Sequence, residues 1–326
     1  MTSSPDGAGL AGSRTDPHAQ ARQARRQPLL LHSMSVFREI FELVFAHRSI
    51  STVVEIGVES GQVSGIYAEL GASAVYGVDP RPGDRLRATF AADDALHLVE
   101  KASPGVLAEL PVADLYVLDG DHNYAVVREE LSWILRNAPD AVVLMHDVLW
   151  PCSRRDLYYE PSPLSAEDKL PASNDGPTVW HDELTPAGFV GAGAFTSAIQ
   201  AGGERNGVMT AVEDALAGTD WSFTLIPAVF GLGVSLRSGS PGAGELVTAL
   251  RPYSGSALLA AMENNRIALY TRVLEQQFEA AARIEDSAAL VETIAAQRKE
   301  IELLTARLRR RSVNQRLSPL LARLRR

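Results

Sequence analysis

The sequence predicts an α/β fold: a mostly parallel, doubly wound sheet of about seven strands, followed by a helical extension. Three observations predict it. Short runs rich in β-branched residues alternate with helix-length segments from residue 52 to residue 145, the order that parallel strands with crossover helices require. The run Ala141–Met145 is almost wholly apolar, as suits a strand covered on both faces. Beyond a Gly-, Ser- and Pro-rich break at 238–244, the composition turns to Ala, Glu, Arg, Leu and Gln, typical of long helices.

The elements follow in order. Residues 1–28 are small, polar and basic without an apolar period, and read as a disordered leader. Between Leu29 and Ala46, Val36, Ile40, Phe41, Val44 and Phe45 recur at three- and four-residue spacing, which predicts an amphipathic helix lying on the sheet. Then come strand Thr52–Ile56, helix Val63–Leu70, strand Ala74–Val78, helix Leu86–Asp94 and strand Leu96–Glu100. A short helix Pro104–Leu110, strand Asp114–Leu118, helix Val126–Arg136 and strand Ala141–Met145 continue the alternation. From 149 to 203 the pattern breaks into Pro, Gly, Ser and charged residues, far longer than an ordinary connection, so it reads as a lid or substrate insertion within a domain spanning 29–238. Helix Asn206–Ala217 and two closing strands, Phe223–Ile226 and Gly231–Leu236, complete that domain.

Residues 239–312 read as helical. Ile267, Tyr270, Leu274, Ala281, Ile284 and Val291 suit a heptad seam, with a change of phase before Ile294, Ile301 and Leu308. Homo-oligomerisation through these helices and packing back on the sheet domain both remain open. After Glu302 no acid appears while Arg307, Arg309, Arg310, Arg311, Arg316, Arg323, Arg325 and Arg326 follow, so 313–326 is a basic tail.

With 326 residues, 46% of them hydrophobic, the chain can bury a large core. It lacks both an apolar run of the ~20 residues that span a bilayer and a secretory start, so a soluble, cytoplasmic protein is expected. The lone Cys152 cannot form an internal disulfide. A formal net charge of -9 argues against a broad nucleic-acid footprint, which depends on neutralising phosphate over a surface.

The first strand ends in VVEIGVESG, which places Glu55, Gly57 and Gly61 on the turn into a helix. Glycine lets backbone approach a ligand closely, and the helix start supplies free N–H groups. Asp79 ends the second strand, where a carboxylate can accept both hydroxyls of a ribose. The spacing E-x-G-x-x-x-G, rather than G-x-G-x-x-G, suits an ammonium group and would repel a pyrophosphate. The plainer alternatives are a tight turn at Gly57 and Gly61 and a helix cap at Asp79.

Taken in order, VEIGVESG, YGVDP, DLYVLDGDHNY and VVLMHD resemble the class I S-adenosylmethionine-dependent methyltransferases, in particular the group carrying D-G-D-H-x-Y after the fourth strand. The resemblance covers about a hundred residues and implies a Rossmann-like sheet. It implies that Glu55 and the Gly57–Gly61 loop hold the methionine part of the cofactor, that Asp79 binds ribose, that Ala102 and Ser103 face the adenine, and that Asp119 belongs to the cofactor set.

Asp119, Asp121 and His122 follow the fourth strand and His146 and Asp147 the fifth, and such carboxyl ends converge beside the cleft of an open α/β sheet. Asp119, His146 and Asp147 can hold a divalent cation, Mg2+ or another, leaving His122 to accept a proton. The layout is also similar to the divalent-metal catechol and caffeoyl-type O-methyltransferases. It departs from them where His122 replaces the usual lysine, His146 an acid and Asp147 an amide. A metal-free version needs only His122 as base, oriented by Asp147 or Asp121. Asp-Gly turns and strand-end capping by His146 and Asp147 are the bland alternatives.

In the insertion, Arg154, Arg155, Tyr158 and Tyr159, with Asn206 just after it, are the substrate candidates, since guanidinium groups clamp oxyanions and aromatic faces cover rings. The reading is O-methylation of a small polar acceptor, a sugar or natural product. Two others stand beside it: a metal enzyme of the same fold with different chemistry, and a non-catalytic scaffold assembled by its C-terminal helices.

Overall fold

The computed structural model describes residues 13, 15–26, 34–160, 162 and 164–323, without the side chains of 23, 26, 285 and 305–323. Within the expected leader, Ala19–Arg26 forms a short helix, α1; residues 1–12, 14 and 27–33 lie outside the described residues. The amphipathic segment begins as a 3-10 turn, Met34–Phe37, and continues as α2, Arg38–His47, burying Ile40, Phe41 and Val44. These are the residues whose spacing predicts one apolar stripe.

The β-branched runs become β1 (Thr52–Ile56), β2 (Ala74–Val78), β3 (Leu96–Val99), β4 (Leu115–Leu118) and β5 (Val142–Met145). Between them lie α3 (Gln62–Glu69), α4 (Asp84–Ala91), a 3-10 turn over Gly105–Glu109, and α5 (Tyr124–Asn137). The insertion carries β6 (Leu157–Tyr159), β7 (Ala172–Ser173) and β8 (Phe195–Ala198). After it come α6 (Val208–Leu216), β9 (Trp221–Ile226), β10 (Leu232–Arg237), α7 (Ala243–Ser254) and α8 (Ala257–Arg323).

One seven-stranded sheet runs in the order β3-β2-β1-β4-β5-β10-β9. Its first five strands are parallel, and β10 pairs antiparallel with both β5 and β9. This is a Rossmann-like core of the class I methyltransferase type with a long C-terminal helical extension. The chain reverses direction across the sheet between β1 and β4, and a ligand crevice forms at such a switch point.

Alternation along the strands divides the core between the two faces. Val53, Val75, Leu115, Val117 and Leu144 pack with Phe41 and Val44 of α2, Tyr67 of α3, Phe90 of α4 and Leu246 of α7. Val54, Ile56, Tyr116, Val143 and Met145 pack on the other side with Leu131 and Ile134 of α5 and Val212 of α6. Both faces are covered, which is why β4 and β5 are apolar at every position.

Two regions differ from the sequence reading. The aperiodic insertion contains a small antiparallel sheet ordered β6-β8-β7; its strands are only two to four residues long, too short for an alternating pattern to show. The Gly-rich break at 238–244 ends within α7, whose sequence AGELVTALRPYS also carries Pro252 in its final turn. The remaining helix, α8, is one piece of 67 residues. Glu263 and Thr271 are buried near its start, while every described side chain from Gln276 to Leu304 is exposed. Ile284, Val291, Ile294 and Ile301 of the heptad seam are therefore exposed, and the side chain of Leu308 lies outside the described residues. Among the described residues no helix is long and apolar enough to cross a membrane.

Candidate active site

Four strand ends meet at one edge. Gly57 N donates to Val78 O (2.9 Å), Asp119 N to Ile56 O (2.9 Å) and His146 N to Leu118 O (3.0 Å), so the segments after β1, β2, β4 and β5 lie side by side. Gly57 sits at φ +82°, and a Cβ there would collide with the Asp119 carbonyl. The loop after β1 thus presses against the end of β4, a closeness that only glycine permits. Gly61, at φ +75°, starts α3 without a side-chain cap, leaving the N–H groups of the first turn open to a ligand.

Glu55 is 3% exposed. Its carboxyl accepts from Ser64 Oγ, a contact that no sequence spacing announces. Burial pushes its pKa up to about 8, with Ser64 pulling down and the nearby Asp119 pushing further up. Tyr67, also fully buried and close enough to feel both carboxylates, has a hydroxyl without a partner among the described residues. Asp79 is half-buried and accepts from Arg81 N at 2.8 Å, a turn-forming bond that uses only one carboxyl oxygen. Ala102 is exposed and Ser103 is half-buried.

Beside Ser103 stands Glu130 of α5, an acid absent from the sequence-based candidates. It is 1% exposed, and burial raises its pKa to about 8, with the neighbouring Ser103 hydroxyl pulling the other way. A helical glutamate flanked by other charges carries no sequence signal of burial.

The catalytic candidates form one network. His146 Nδ1 is 2.9 Å from Asp119 Oδ1 and 3.5 Å from Asp147 Oδ2, and the same Oδ2 is 3.2 Å from His122 Nε2. His146 Nε2 lies 2.8 Å from Val229 O. A carbonyl only accepts and an ionised carboxylate only accepts, so these partners assign a proton to each ring nitrogen of His146. Burial disfavours the resulting imidazolium, but Asp119 and Asp147 outweigh it and raise the pKa to about 9. Asp147 itself adopts φ +57°, a left-handed conformation uncommon outside glycine although better tolerated by Asp than by most residues. Asn123 Oδ1 accepts from Val126 N at 3.0 Å and caps α5, so the segment 119–123 runs from strand end to helix start with Asp119 and His122 held between. Asp121 is half-buried, its pKa raised by burial against the pull of His122 and Arg81.

Asp119, His146 and Asp147 each offer a ligand atom, all within 4.8 Å of one another. Two carboxylates and an imidazole suit a divalent cation. The bond from Nε2 to Val229 O is the outer-shell anchor that orients a ligating histidine, and a cation would take the place of the proton on Nδ1. The residues fit such an ion.

The substrate candidates divide. Arg154 forms a two-pronged pair with Glu213 (2.6 Å and 2.6 Å) and also donates to Thr210. Arg155 is buried and donates to Ala198 O and Ile199 O. Tyr158 donates to Asp156 and accepts from Leu170 N, and Asn206 bonds Asp156 N, Gln200 O and Gly202 O. The polar groups of these four are engaged in holding the insertion together. Tyr159 is the one that reaches the edge, its ring centre 6.0 Å from that of His122.

Residues 54–148 match the family described as a methyltransferase domain, a span that runs from β1 to just past β5. No curated protein sequence matches the chain. Among solved structures, the methyltransferase PaMTH1 of Podospora anserina is 16% identical, with 67% of this chain and 85% of that one covered and a TM-score of 0.40. A methyltransferase from Geobacter sulfurreducens is 16% identical over 69% of this chain and 90% of that one, with a TM-score of 0.39. The O-methyltransferase TomG of Streptomyces achromogenes, involved in tomaymycin synthesis, is 17% identical over 68% and 87%, with a TM-score of 0.39. The strand order and the domain match agree on one description of the sheet domain: a class I methyltransferase fold with a carboxylate- and histidine-lined edge.

Proposed function

We propose that this chain is an S-adenosylmethionine-dependent methyltransferase that methylates a hydroxyl of a small polar acceptor, of the sugar or natural-product class. The observation that carries the cofactor is Glu55. It is a buried carboxyl beside the glycine loop, with a hydroxyl and no cationic side chain among its described partners. A ligand bearing an ammonium and a sulfonium supplies the missing positive charge, and burial strengthens that attraction. Asp79 would take the ribose hydroxyls, and Ser103 and Glu130 are neighbouring polar groups that a further part of the ligand could reach.

The reacting residues are His122 and Asp147. With Asp147 Oδ2 accepting from Nε2–H at 3.2 Å, His122 keeps a lone pair on Nδ1 and can receive the acceptor's hydroxyl proton. As that proton leaves, the acceptor oxygen bonds to the methyl carbon and the carbon–sulfur bond breaks, leaving a neutral thioether. Asp147 stabilises the imidazolium that forms, and Tyr159 covers the acceptor and excludes water. Asp119, His146 and Asp147 would hold a divalent cation such as Mg2+, which supplies Lewis-acid polarisation of the acceptor oxygen when bound. Calorimetric titration of S-adenosylmethionine tests the reading: the wild type binds and Asp79→Ala binds at least tenfold more weakly, whereas a wild type that does not bind removes the proposal.

A second copy of this chain is the partner we infer for α8. Ile284, Leu290, Val291, Ile294 and Ile301 are 48–70% exposed on a helix that no described residue covers, and a lone helix of this kind depends on burying its apolar face. Between Glu275 and Glu302 acids outnumber bases, while every charged side chain after Glu302 is an arginine. An antiparallel pair sets each acidic half against the partner's basic half; a parallel pair would align arginines with arginines.

A further inference from the structure

The turn between β9 and β10 has a backbone that its side chains disfavour. Val229 and Phe230 lie at φ +43° and +62°, followed by Gly231 at +87°. For a β-branched residue such a φ is a genuine outlier, on the order of 1–3 kcal/mol uphill, and persists only where the surroundings enforce it. What enforces it here is Glu263 of α8. Its Oε2 accepts from Val229 N at 2.9 Å and its Oε1 from Phe230 N at 2.8 Å, so two successive N–H groups form a nest around one carboxylate. Glu263 is 6% exposed. Arg266 grips it from the far side with two bonds of 2.7 Å, and its guanidinium lies over the Phe230 ring at 4.4 Å.

The other face of the same turn is turned toward the reacting edge. Val229 O takes the bond from His146 Nε2 at 2.8 Å, and Phe230 O takes the bond from Leu149 N at 2.7 Å. Asp147 lies between those two anchors. The left-handed turn therefore sets both ends of the segment that carries His146 and Asp147.

We propose that Glu263, from a helix outside the sheet domain, is a positioning residue for the catalytic edge: by locking the Val229–Phe230 turn it fixes the ring of His146 and the path of residues 146–149. The catalytic half of this claim rests on the function proposed above; the structural half does not. A helix that served only as a tether would not require a buried carboxylate on this turn, since apolar contacts such as Tyr270 against Phe189 and Phe230 already dock it.

The test uses the full chain with Glu263→Gln, whose amide can satisfy one of the two N–H groups but sets a donor against the other, and with Glu263→Asp, which keeps the charge. Amide hydrogen exchange at Val229 and Phe230 and the imidazole ¹H–¹⁵N spectrum, with His146 assigned by its loss in His146→Gln, are read beside steady-state kinetics. In Glu263→Gln the two amides lose protection and the His146 Nε2–H signal broadens or vanishes. There kcat falls about 10–100-fold, the usual effect of losing an outer-shell partner, while KM for S-adenosylmethionine stays within about twofold; Glu263→Asp recovers part of each change. Unchanged amides and an unchanged His146 signal in a folded Glu263→Gln protein overturn the proposal. So does a loss of activity matched by an equal loss of folded protein in both variants. If the wild type transfers no methyl group, the function proposed above fails, and the amide and imidazole signals still decide whether Glu263 positions His146.

Discussion

Asp147 Oδ2 stands 3.2 Å from Nε2 of His122. The same oxygen is 3.5 Å from Nδ1 of His146, so one carboxylate serves both the proposed base and the residue that would share a cation. Its left-handed backbone aims it between them. In Asp147→Asn the side chain keeps its shape, and asparagine tolerates the same φ. We expect kcat to fall roughly 10²-fold or more, as when an acid–base pair is disabled, with S-adenosylmethionine affinity nearly unchanged. Steady-state kinetics beside calorimetry decide it, and full kcat in the Asp147→Asn enzyme would remove Asp147 from the mechanism.

Removal of metal separates two forms of the same mechanism. If Asp119, His146 and Asp147 hold a divalent cation, dialysis against a chelator abolishes methyl transfer, and added Mg2+ or another divalent ion restores it. His146→Gln then weakens calorimetric metal binding by about tenfold or more. Transfer that continues undiminished under chelation limits these three residues to orienting His122.

Glu55 ties cofactor affinity to pH. Its pKa of about 8 in the unliganded protein means that near neutrality it carries a proton, which a cationic ligand must displace. Affinity for S-adenosylmethionine should therefore rise as pH increases toward about 8 and level off beyond it, by up to tenfold per pH unit. Binding at neutral pH should release up to one proton, visible as heats that vary with the buffer. Glu55→Gln should bind more weakly and lose this slope; if it keeps the slope, another group is responsible.

Glu130 predicts an inverted stability profile. Its folded pKa, about 8, lies above the ordinary 4.5, so between those limits the native state holds a proton that the unfolded chain has lost. Its contribution is therefore fully present at acidic pH and is lost as pH rises through about 8, on the order of 1.4 kcal/mol per pH unit at most. Glu130→Gln should flatten the dependence of urea-unfolding stability between about pH 5.5 and about pH 7.5. Equal slopes for the two proteins would show that Glu130 titrates normally.

Deleting residues 280–326 keeps Glu263, Arg266 and Tyr270 and removes the exposed apolar length of α8. If a second copy covers it, light scattering should report two chains per particle for the full-length protein and one for the truncated protein. Two truncated chains per particle would place any assembly elsewhere.

The sheet was legible because its signals are local. β1 and β2 fall at the residues expected, Thr52–Ile56 and Ala74–Val78, since β-branched runs bounded by turn residues favour one conformation. The meeting of Asp119, His122, His146 and Asp147 was legible too, because the alternation of strands and helices places all four at one edge. Three things escaped. The strands of the insertion are held by pairing with one another, not by a pattern of their own. Arg154 and Arg155 look like substrate clamps in sequence, but Glu213 and the carbonyls of Ala198 and Ile199 occupy them, and those partners lie tens of residues away. Glu263 acts across 34 residues on Val229, through a turn whose left-handed residues are a valine and a phenylalanine, types that announce no such conformation.

The aromatic contacts running from Tyr270 to Phe189, Phe195, Tyr159 and finally His122 tie the insertion and the start of α8 to each other through one chain of rings. A chimera that borrows the 149–203 segment from another protein to change acceptor preference would lose the ring against which Tyr270 rests. Exchange of acceptor specificity by grafting should succeed only when the donor's counterpart of Tyr270 travels with the loop.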